Sequence, residues 1–79
     1  MLFGDKIKEL RVQHGLLQRQ VASILDIDTP MYSKYERGER LPKEGQITKL
    51  ATLFNTEERE LRILCMSDKI MNTLSKTMT

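Results

Sequence analysis

The sequence predicts an all-α fold: five short helices in one small domain, the last running on into a helical extension. Three observations carry this. Apolar residues recur at steps of three and four, the spacing of a helix that buries one stripe. Turn-forming residues divide the chain at Gly15, Asp26–Asp28, Gly38–Pro42 and Asn55–Thr56. The 79 residues, 39% of them apolar, suffice for one core and not for two.

Helix 1 is expected from about Gly4 to His14. Phe3, Ile7, Leu10 and, more loosely, Val12 are spaced for a buried face, and Gly15 supplies a left-handed stop. Leu16 then turns the chain back toward the core. Helix 2 is expected from Gln18 to Leu25, with Val21, Ala22 and Leu25 inward. Leu17 stands where Ser or Thr would cap the free amides, so this start is expected to be weaker by ~1 kcal/mol. In the turn Asp26-Ile27-Asp28, Ile27 plugs the corner and Asp28 caps the next helix. Pro30 falls in the first turn of that helix, where its missing amide costs little.

Helix 3 is closed by Gly38. Tyr32 and Tyr35 face inward, which leaves Thr29, Pro30, Met31, Ser33 and Lys34 outside. Helix 4 is expected from about Lys43 to Phe54, with Ile47, Leu50, Ala51 and Phe54 buried. Gly45 in its first turn lowers helix stability. Helix 5 starts near Glu57 and is expected to reach about Leu74, with the tail frayed from Ser75. Leu61 and Leu64 close the core. This divides the chain into a domain at 1–64 and an extension at 65–79. On helix 5, Ile63, Met66, Ile70 and Leu74 form a second apolar seam, suited to another helix. The expected use is homodimerisation; folding back on its own domain is the alternative.

Two short helices joined by a tight turn make a helix-turn-helix, whose second helix can lie in a DNA major groove. An ordinary exposed helix face would carry the same residue types. The net charge of +2 excludes a strongly basic chain, but residues 1–43 hold eight Lys/Arg (Lys6, Lys8, Arg11, Arg19, Lys34, Arg37, Arg40, Lys43) against six acids. Phosphate contacts would need such an excess.

The segments Lys8-Glu-Leu-Arg-Val-Gln-His-Gly-Leu16, Leu17-Gln-Arg-Gln-Val-Ala22 and Ser33-Lys-Tyr-Glu-Arg-Gly-Glu-Arg-Leu-Pro42 resemble the phage-repressor (lambda/434 and Cro, or Xre) family. The similarity covers roughly residues 3–64. It implies a lambda-repressor-like, five-helix domain that binds double-stranded DNA and regulates transcription, usually by repression. By position it implies base reading by Thr29, Pro30 and Lys34, with Ser33 beside them and Met31 on the same face. Phosphate contacts fall to Gln18, Arg40 and Lys43, with Arg19 next to Gln18. A structural ion pair is implied between Arg11 and Glu36. Pro30 and Leu17 depart from the family pattern: Pro30 offers apolar contact only, and Leu17 replaces a polar cap. The expected partner is a palindromic operator read by a homodimer, as a phage repressor, a restriction–modification controller or an antitoxin would do.

Other classes have less behind them. His14 is the single histidine and sits at a helix end, and Glu57, Glu58 and Glu60 suit a helix N-terminus. No zinc spacing, phosphate-binding glycine loop or nucleophile motif is present, so neither catalysis nor a cofactor is expected. Cys65 is alone and flanked by Leu64 and Met66, which predicts a buried thiol in a reducing compartment, and no run approaches membrane-spanning length. The expected location is the cytoplasm. The rival reading is an interaction module, in which helix 5 docks a protein partner.

Overall fold

A computed structural model describes the backbone of residues 2–78 and the side chains of residues 3–68. It contains five helices among these residues: α1 (Leu2–Gln13), α2 (Gln18–Ile24), α3 (Thr29–Arg37), α4 (Glu44–Leu53) and α5 (Glu58–Met78). Expected ends shift by a residue or two at α1, α2, α4 and the start of α5. The end of α5 differs more, since the helix runs through the segment expected to fray.

Local chemistry sets the turns. Gly15 and Gly38 take φ of 66° and 75°, and Asp26 and Asn55 take φ of 60° and 51°. These are left-handed conformations, which glycine, asparagine and aspartate tolerate best. At α3 the Asp28 carboxylate accepts from the Met31 amide at 2.8 Å, and Pro30 occupies the first turn. Leu17 has no side-chain acceptor to offer α2. Instead the Gln20 side chain reaches back, its Oε1 accepting from the Leu17 amide at 2.7 Å. That is one half of a capping box, and it offsets part of the expected weakness.

The start of α1 is fixed from far away. Asp68, buried in α5, accepts the Phe3 amide through Oδ2 at 2.8 Å. Its carboxylate stabilises the free amides and the positive end of α1 together. The expected boundary after residue 64 meets no break in the backbone. It falls inside α5, and Cys65 and Asp68 beyond it are buried with the domain.

The core gathers the apolar stripes of all five helices, with Phe3, Ile7, Val21, Tyr32, Leu50 and Leu61 fully enclosed. Leu16, Ile27 and Leu64 pack against its edge. Val12 does not join it: it is 61% exposed, because α1 turns that position away from α3 and α5. At Gly4, α1 crosses the end of α3 backbone to backbone. A Cβ there would stand 2.4 Å from the Glu36 carbonyl oxygen and 2.7 Å from that of Tyr35.

Candidate nucleic-acid interface

Helix α3 has two unlike faces. Tyr32, Tyr35 and Glu36 are buried, which leaves the opposite side open. On that side Pro30 and Lys34 are exposed, and Thr29 and Ser33 are half-buried. Met31 is placed differently from the rest, with its side chain packed against the edge of the core. Lys34 has no hydrogen-bond or ion-pair partner among the described residues. Ser33 has one: its hydroxyl oxygen accepts from Arg37 Nη1 at 2.7 Å.

Behind the open face lies a polar cluster that fixes the angle of α3. Arg11 donates from Nε to Glu36 Oε2 at 2.7 Å and from Nη2 to Oε1 at 3.3 Å. Its Nη1 donates to the Leu16 carbonyl at 2.9 Å. The Gln18 amide nitrogen donates to Glu36 Oε1 at 3.0 Å. One carboxylate thereby joins α1, α2 and α3. Burial alone would raise the Glu36 carboxyl, but hydrogen bonds from Arg11 and Gln18, aided by the nearby Tyr32 hydroxyl, hold it below its ordinary value. The Arg11 guanidinium is held above its own by the hydrogen bond to Glu36. Burial pushes the Tyr32 hydroxyl up, and that oxygen makes no hydrogen bond of ordinary geometry.

This cluster bears on the residues assigned to phosphate. Gln18 gives one hydrogen of its amide nitrogen to Glu36; the second hydrogen of that NH2 group is left to donate, so the bond orients the side chain without excluding a phosphate contact. Arg19, Arg40 and Lys43 are exposed and unpartnered among the described residues. Arg40 stands in the loop after α3, and Lys43 occupies the cap position of α4. Gly45, two residues on, faces open space, with nothing within 4 Å of a Cβ built there. A second tie steadies the loop: the Tyr35 hydroxyl donates to Gln46 Oε1 at 2.7 Å and links α3 to α4.

The seam expected on α5 comprises Ile63, Met66, Ile70 and Leu74. Ile63 and Met66 are 54% and 62% exposed, while Ile70 and Leu74 lie outside the described side chains. Met66 also borders an apolar groove with Leu41, Pro42, Ile47 and Cys65.

Sequence reasoning missed Gly4 and Asp68. Gly4 had a local signal, a glycine inside a helical pattern with no turn to explain it. Asp68 had none, since its partner is 65 residues away.

A family of sequences described as helix-turn-helix matches residues 7–61. Among curated relatives, the cryptic phage CTXphi transcriptional repressor RstR of Vibrio cholerae is 35% identical over 60 residues, 76% of this chain and 54% of that protein. The SPbeta prophage-derived uncharacterized HTH-type transcriptional regulator YonR of Bacillus subtilis is 35% identical, over 66% of this chain and 48% of its own length. The HTH-type transcriptional regulator ImmR of Bacillus subtilis is 36% identical, over 70% of this chain and 43% of its own. The chain spans about half the length of the curated relatives it matches. No solved structure matches it.

Proposed function

Because this chain belongs to the phage-repressor-like helix-turn-helix family of transcriptional regulators, we propose that it binds double-stranded DNA by sequence and represses transcription. The observation that carries this reading is the two-sidedness of α3. One face is anchored by Tyr32, Tyr35 and Glu36, and the other presents Thr29, Pro30 and the unpartnered Lys34. A rigid helix with a solvent-facing polar edge can enter a major groove and hydrogen-bond to base edges. Lys34 donates to guanine O6 or N7, Thr29 donates or accepts, and Pro30 offers apolar contact. Met31 contributes only what its core-packed side chain leaves accessible. Gln18, Arg19, Arg40 and Lys43 supply phosphate contacts around the helix and set its register.

The active species in this reading is a homodimer joined along α5 through Ile63 and Met66, reading a palindromic operator. Acting on DNA, it works in the cytoplasm; among the described residues no helix is long and apolar enough to cross a membrane. The test is selection of bound sites from a pool of randomised duplexes at moderate salt. A palindromic consensus is expected. A folded protein that enriches no duplex would overturn the reading.

A further inference from the structure

Helix α3 carries one more residue on its open face. Pro30, Lys34 and Arg37 follow at steps of four and three, so the 3.6-residue repeat places them on one side, opposite Tyr32, Tyr35 and Glu36. Arg37 is half exposed, and it is held in place. Its Nη1 donates to Ser33 Oγ at 2.7 Å, one helical turn back. Its Nε donates to the Glu39 carboxylate. Glu39 is within reach because Gly38 turns left-handed, and the Glu39 amide then donates to the Lys34 carbonyl at 2.9 Å.

We propose that Arg37 is a base-reading residue that takes a guanine, and that Ser33 is its positioning residue rather than an independent reader. This rests on the DNA-binding reading above. A guanidinium has five N–H donors in a flat fork. The bonds to Ser33 and Glu39 draw on Nη1 and Nε and leave Nη2 wholly unspent, together with the second hydrogen of Nη1. Nη2 donates to guanine O6 or N7 with the Nη1 edge beside it, in a planar fork that the compact ammonium of a lysine does not reproduce. Ser33 and Glu39 also hold the side chain in one conformation along the open face of the helix before DNA arrives, so less freedom is lost on binding. Glu39 offsets the charge of Arg37 in the free protein and weakens its pull on phosphate. The guanidinium is thereby biased toward a directed base contact.

The experiment repeats the randomised-duplex selection with the parent, R37A, R37K and S33A, each checked for an unchanged melting curve. The parent is expected to select a guanine at one position per half-site, distinct from the position that responds to Lys34. R37A should lose preference there alone and bind the parental site ~10- to 100-fold more weakly. R37K should not restore the preference, and S33A should weaken it at that same position. Uniform loss across all sequences with a flatter salt slope would make Arg37 a phosphate contact and overturn the proposal. So would an R37A consensus identical to that of the parent. If S33A shifts a different base pair, its positioning role falls. A parent that enriches nothing defeats the DNA-binding reading, and this proposal falls with it, whereas the variant outcomes above overturn the proposal alone.

Discussion

Among single residues, what each side chain already touches separates those that hold the recognition helix from those free to meet DNA. Lys34 and Arg40 are both exposed cations, yet one stands on the open face of α3 and the other in the loop beyond it. Lys34→Ala should relax preference at one base pair and cost ~1–3 kcal/mol, whereas Arg40→Ala should weaken all duplexes alike and reduce the salt slope by about one. Titrations across several salt concentrations check both, and identical behaviour of the two variants would remove the distinction. Glu36 belongs to the other group. Its side chain is 3% exposed and pairs with Arg11, so removing it strands a largely buried guanidinium. Glu36→Ala should lower stability by about 3–5 kcal/mol. The pH dependence follows from the direction of its shift. A carboxyl lowered on folding contributes stability above its unfolded value of 4.5 and loses it as pH falls through the lower folded value. Thermal melts of the parent should therefore drop on acidification below about pH 4.5, and Glu36→Gln should flatten that limb.

The helices themselves were legible from the sequence because their signals are local. Gly15, Asp28 and Gly38 mark ends, and the three-and-four spacing of Ile7, Leu10, Val21, Leu25, Ile47 and Leu50 marks the buried stripes. The open face of α3 was legible by subtraction once Tyr32 and Tyr35 were assigned inward. What stayed hidden depends on contacts between elements. Asp68 caps α1 from α5, Gln18 donates to Glu36, and Met31 leans onto the core. No local pattern encodes those pairings. Gly4 lies between the two cases, a local oddity whose cause is tertiary. Its Cβ would overlap the backbone of α3, which cannot yield as a flexible side chain can. Gly4→Ala should therefore destabilise by about 1–3 kcal/mol through overpacking, despite alanine's better helix propensity. A denaturant melt checks this, and a variant as stable as the parent would show that α1 can slide on α3.

For the whole molecule, the question is how one small domain gains both stability and a long enough site. A domain of 79 residues buries a modest share of its surface, and one recognition helix spans only part of a helical turn of DNA. The proposed pairing of two copies along α5 would answer both needs, since a two-fold pair presents two α3 helices to successive major grooves. Asp68 would give such a pair rigidity. By tying α5 to the start of α1, it fixes the seam relative to the domain that carries α3. Ile63 and Met66 are the exposed apolar side chains of that seam among the described residues. Met66→Glu would bring like charges together at a two-fold contact while leaving the monomer core untouched, because Met66 is 62% exposed. Sedimentation should show dimers for the parent and monomers for the variant. DNA titration should show the variant binding a palindrome no better than an isolated half-site. A parent that sediments as a monomer at high concentration, or a variant that stays dimeric, would take the interface away from this face of α5.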